Sequence, residues 1–156
     1  AAALAELGRL PEAQAAARQA HALAPTRLHA LRVAALLARQ GRLEETEAWA
    51  REHLAYAPTA AGAVQLAGAL AGEGGSRPAA LAVLARAFQR APHGPERAQV
   101  AVARAGLLPL GEALPLLRQA VREAPGDYRY WLLLAEAERA AGRQPEVISA
   151  YEKAYA

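Results

Sequence analysis

Small apolar residues return at fixed phase along this chain, and four prolines set the phase. Pro25, Pro58, Pro92 and Pro125 stand 33, 34 and 33 residues apart. Take each as a mark, with a virtual fifth at 159. Twenty-four residues before the marks lie Ala1, Ala34, Gly68, Ala101 and Ala135; twelve before lie Ala13, Thr46, Ala80, Ala113 and Val147. Eight before lie Ala17, Ala50, Leu84, Leu117 and Tyr151, and five before lie Ala20, His53, Ala87, Ala120 and Ala154. A small residue recurring at one phase marks two backbones passing close, where a larger side chain would overpack the contact. The stretches between the marks are apolar or Ala-rich runs of helical type, and none alternates at period two for long enough to make a strand. The pattern predicts helices over 1–7, 11–23, 27–40, 44–56, 60–73, 78–90, 95–107, 112–123, 128–141 and 145–155. It is one supersecondary unit copied along a line.

Turn chemistry sharpens the repeat. Gly8, Gly41, Gly75 and Gly142 share one phase, each just past a helical run, where glycine takes the left-handed backbone that closes a last turn. Three residues later come Pro11, Pro78 and Pro145, suited to the first turn of the next helix. Glu12, Glu45, Glu112 and Glu146 follow, favoured at the positive end of that helix. Each unit therefore reads helix, glycine turn, helix, proline-marked loop. The units run over about 1–25, 26–58, 59–92, 93–125 and 126–156 within one repeat segment. The fourth departs from the rule: Leu108 stands at the glycine phase, Pro109 follows, and Pro115 is predicted to kink or delay the second helix. The two spacings of 33 imply one-residue deletions in the loops after Pro25 and Pro92.

Trp131, Leu134, Ala135, Gly142, Glu146, Tyr151 and Ala154 lie at the spacing of the tetratricopeptide repeat, as do Gly8, Ala13, Ala20 and Pro25. The chain resembles that family over nearly its whole length, as about four and a half units. The resemblance implies an all-α fold, an α-solenoid of helix-turn-helix repeats wound as a right-handed superhelix. It also implies a non-enzymatic scaffold for protein–protein interaction, with partners in a concave groove lined by first helices. The matching positions are Leu28, Leu31, Ala35 and Ala38; Gly62, Gln65, Ala69 and Gly72; Pro95, Ala98, Val102 and Ala105; and Arg129, Leu132, Glu136 and Arg139. Of these, Leu28, Leu31, Gln65, Val102, Arg129, Leu132, Glu136 and Arg139 are the candidate partner contacts. Family members that hold a peptide's terminal carboxylate use Lys and Asn of first helices. With no Asn and only Lys153, on a second helix, this chain lacks that clamp. A shallow, mostly apolar groove suits an extended or helical apolar segment, or is covered by a neighbouring part of the array. Long Ala- and Leu-rich arrays of this type also occur in bacterial exopolysaccharide export proteins. That likeness implies a periplasmic setting in preference to a cytoplasmic one; a cytoplasmic regulator and a pilus-assembly adaptor are the alternatives.

Composition adds limits. The 156 residues include 45 Ala but one Phe and one Ile, so the layer between helices should be thin. Seventeen Arg against one Lys, one Asp and no Asn point to a GC-rich bacterial source. The chain opens inside one helix and stops inside another, as expected of a piece of a longer array. No Cys is present, which removes disulfide chemistry. The longest uncharged run, 54–72, contains Pro58 and Gln65, which argues against membrane insertion. The net charge of +3 is uneven: residues 74–122 carry seven Arg against Glu96 and Glu112. A basic middle offers an alternative partner, an acidic protein, a polysaccharide or another anionic polymer. No series of aromatics interleaves with Arg86, Arg90, Arg118 and Arg122 as a stacking platform would need, which disfavours nucleic acid, and these four fall on the expected outer face.

No catalytic, cofactor or metal site is predicted. His21, His29, His53 and His93 lack ligand spacing, Ser76 and Ser149 lack a His–acid partner, and Gly72–Gly75 reads as a turn rather than a phosphate loop. Trp131 is expected in the core and Trp49 partly exposed. His53 and Thr46, at phases that favour alanine, suggest a looser second unit.

Overall fold

The computed structural model describes residues 8–156; the predicted helix 1–7, with Ala1 at its small-residue phase, lies outside the described residues. Among the described residues there are nine α-helices and no strand. They are α1 (Leu10–Leu23), α2 (Arg27–Arg39), α3 (Leu43–His53), α4 (Ala60–Ala71), α5 (Arg77–Arg90), α6 (Pro95–Ala105), α7 (Leu110–Glu123), α8 (Tyr128–Ala140) and α9 (Gln144–Tyr155). Each predicted helix from 11–23 onward is present.

The chain divides into two compact units, Ala1–Ala87 and Phe88–Ala156. In the first, α1 packs on α2, α2 on α3, and α2 also on α4. In the second, α6 packs on α7, α7 on α8 and α8 on α9. Alanine supplies much of both cores. Ala13, Val33 and Leu37 are fully buried in the first unit, with Trp49 packed against them. In the second, Leu114, Leu117, Leu134 and Ala135 are buried beneath half-buried Trp131 and Tyr151. All five residues twelve before the marks, Ala13, Thr46, Ala80, Ala113 and Val147, are buried. The phase twenty-four before is buried at Ala34, Ala101 and Ala135, whereas Gly68 is exposed and its neighbour Ala67 takes the inward place.

The turn glycines are where φ matters. Gly41 and Gly142 both stand at φ 75. After Gly41, the Arg42 N–H donates to the Leu37 carbonyl at 3.0 Å; after Gly142, the Arg143 N–H donates to the Glu138 carbonyl at 3.0 Å. This wrapping closes orphan carbonyls at the helix end and needs a left-handed residue. A Cβ at 142 would meet nothing within 4 Å, so a side chain there is opposed by backbone strain alone. Gly142→Val should therefore cost about 1–2 kcal/mol. Calorimetry checks it: the melting temperature should fall by a few degrees, and an unchanged value would contradict the assignment.

The fourth hairpin closes without a left-handed residue. Gly106 sits at φ −64, and Leu107 and Leu108 donate to Arg104 and Ala105 at 3.0 and 3.2 Å. Pro115 does not delay its helix, contrary to expectation: α7 begins at Leu110 with Pro115 inside it. The proline removes one bond, that to the Gly111 carbonyl, and both residues are exposed, so water can take the donor's place. Among the described residues the longest loop is 54–59, where Ala55 stands at φ 54. In the second unit's sequence repeat, Thr46 is fully buried and its hydroxyl donates to the Arg42 carbonyl at 2.9 Å. His53 joins His21 and Trp49 in a cluster of rings, edge-on to His21 and tilted against Trp49, with centroids 4.8 and 3.9 Å away.

Candidate functional site

The contact between α2 and α4 brings two first helices side by side. Between them lies a cleft of about 200 Å³ whose lining includes Arg27, Leu31, Tyr56, Gly62, Gln65 and Ala69. Its form follows from local chemistry. Thr59 caps α4, its hydroxyl accepting from the Gly62 N–H at 3.0 Å. Gly62 has no side chain, which lets the loop 54–57 fold against the first turn of α4; a Cβ there would lie 2.0 Å from the Ala57 carbonyl oxygen. That loop therefore walls one side of the cleft, and the small Ala69 leaves its middle open. At one end Arg27 donates to Glu73 at 3.3 Å in an exposed ion pair.

The structure thus brings Leu31 and Gln65 together. It also closes most of the expected groove face of α2, where Leu31, Ala35 and Ala38 are 0%, 4% and 2% exposed. Leu28 is exposed on the first turn of α2 and is not among the cleft's lining residues. In the second unit Val102 is half-buried against the core. Leu132 is half-buried, while Glu136 and Arg139 are exposed. Arg129 lines a different, open depression of about 650 Å³ with Pro95, Glu123, Pro125 and Tyr128. Its guanidinium is held by Asp127, with N–O distances of 2.9 and 2.6 Å.

Two carboxylates around that depression are anchored. Glu123 accepts from the Gly94 N–H at 2.8 Å and faces His93 at 3.0 Å; the backbone donor is the main reason its carboxyl is held below the usual range. Asp127 is lowered chiefly by its bonds from Arg129, and it also caps α8. A lowered folded-state pKa adds stability that is complete above the unfolded value, near 4, and is lost as pH falls through the folded value. The melting temperature should accordingly drop below about pH 4. Glu123→Gln should flatten that drop; an identical acid limb in the variant would refute the assignment.

The basic middle is largely engaged within the fold. Arg86 donates to Glu47 at 3.1 Å and to Glu44 at 3.4 Å. The guanidiniums of Arg97 and Arg104 lie 5.1 and 5.5 Å from the Phe88 ring centroid. Arg118 donates twice to Glu138, a carboxylate 2% exposed that the sequence pattern had not marked. Both indoles are also engaged: Trp49 donates to the Ala30 carbonyl at 3.0 Å and Trp131 to the Pro125 carbonyl at 2.9 Å. Among the described residues no group of three His, Asp or Glu is placed to hold a metal ion, and no helix is long and apolar enough to cross a membrane.

No protein-family model and no curated protein matches the chain. Among solved structures it is similar to the crystal structure of MamA, a TPR-type protein, with a TM-score of 0.53 and 16% identity. The match covers 97% of this chain and 90% of that one. The chain has a TPR-like helical-repeat fold.

Proposed function

We propose that this chain is a non-enzymatic scaffold that holds a protein partner at the cleft between α2 and α4. The observation that carries this is the cleft itself. Two first helices, a buried Leu31 and Leu66, and an exposed Gln65 amide line one depression beside a loop that shapes it. Half-buried Leu54, Tyr56 and Ala69 offer the apolar surface that an extended or helical peptide needs, and the exposed Gln65 amide can bond the peptide backbone. At about 200 Å³ the space is below the roughly 300–1,000 Å³ of small-molecule sites and suits one or two side chains.

The test is a displayed library of random peptides selected on the folded chain, then on Ala69→Trp, which fills the cleft. Selected peptides should lose at least about tenfold in affinity, or roughly 1.4 kcal/mol. Binders indifferent to the indole would reject the site.

The wider setting we propose is a bacterial secretion assembly of the exopolysaccharide export kind, a reading that rests on composition and family analogy. The parent reading frame tests it. A signal sequence upstream or a β-barrel pattern downstream supports export, and a frame with neither overturns it.

A further inference from the structure

We infer that the α2–α4 cleft selects an acidic partner segment, and that Glu73 occupies the partner's charge site when the cleft is empty. The inference rests on the scaffold reading above and adds the partner's chemistry. Arg27 is the only formally charged residue among the cleft's lining residues, and its carboxylate partner, Glu73, stands outside that lining. Its side chain is 59% exposed, within reach of a bound chain, and its ion pair crosses 46 residues of sequence to Glu73. Glu73 stands between Gly72 and Gly74 in the turn after α4. Its own side chain is 55% exposed.

An exposed pair of this kind is worth little and exchanges readily with water or another carboxylate. An Asp or Glu beside a partner's apolar anchor can therefore displace Glu73 from Arg27 while the anchor settles against half-buried Leu54, Tyr56 and Ala69. The exchange swaps one carboxylate for another on the same guanidinium. Affinity from this contact is then set by competition with the chain's own Glu73, and it weakens with added salt.

Two displayed libraries with a fixed central leucine test this, one with Asp or Glu at the flanking positions and one with Asn or Gln. Binders should come mainly from the acidic library, about two- to fivefold tighter than their amide counterparts measured as synthetic peptides. Arg27→Gln should erase that preference, and Glu73→Gln should tighten acidic peptides by about two- to fivefold. Both substitutions lie on exposed side chains, so the melting temperature should hold. If both libraries yield equal binders that Ala69→Trp abolishes, the cleft stands and the acidic selection falls. If neither yields binders sensitive to Ala69→Trp, the cleft reading falls as well. Unchanged acidic affinity in Glu73→Gln would remove the competitor role.

Discussion

Replacing Arg118 by alanine will destabilise the second unit by about 2–4 kcal/mol. Arg118 Nε and Nη2 donate to the same Glu138 oxygen at 2.8 and 2.6 Å, and the Glu138 side chain is 2% exposed. Removing the guanidinium strands a buried carboxylate, which costs far more than the loss of a surface pair. Arg143 remains 3.8 Å from the other oxygen, which softens the loss without replacing two short bonds. The double variant Arg118→Ala with Glu138→Leu should recover much of the stability, because no charge is then left inside. Urea unfolding of the four proteins measures this. A single variant within about 0.5 kcal/mol of the parent would show that the pair carries no weight.

Gly62→Ala should cost about 2 kcal/mol net, although it places a better helix former in a helix. Propensity alone favours alanine by about 1 kcal/mol. Against it, the new Cβ would lie 2.0 Å from the Ala57 oxygen and 3.0 Å from its carbon, and backbone cannot yield as a flexible side chain can. Opening that contact pulls the loop from the first turn of α4 and strains the Thr59 cap, at a cost of roughly 3 kcal/mol. Gly68→Ala, in the same helix, is the contrast. A Cβ there meets nothing within 4 Å, so that variant should gain up to about 1 kcal/mol. Thermal melts showing the same sign for both substitutions would contradict the close approach at Gly62.

Why some of this was readable from the residues alone can be argued position by position. The hairpins were legible because their turns are fixed by local chemistry: Gly41 and Gly142 take the left-handed backbone their phase implied. Helix starts were legible for the same reason, since Pro11, Pro78 and Pro145 sit in first turns as expected. The start of α7 was not, because a proline is judged against the bonds its helix can lose, and here only one near an exposed end is lost. Ala55 gave no sign of positive φ, because no Gly or Asn marks it. The Arg118–Glu138 pair was hidden for a different reason. Its partners are 20 residues apart, and a glutamate among alanines on α8 looks like any solvent-facing residue. The groove positions show the same limit. Family phase placed Leu31 and Gln65 on facing helices, yet burial of Leu31, Ala35 and Ala38 depends on what covers α2, which local sequence does not encode.

The most direct measurement is an amide-resonance titration of the isotope-labelled chain with a library-selected peptide. Shifts should concentrate at Leu31, Gln65, Leu66 and Ala69, with loop 54–57 moving alongside and Ala69→Trp abolishing all of them. Saturable binding that perturbs α8 and α9 while leaving those four amides unmoved would place the partner elsewhere and refute the cleft as the binding site.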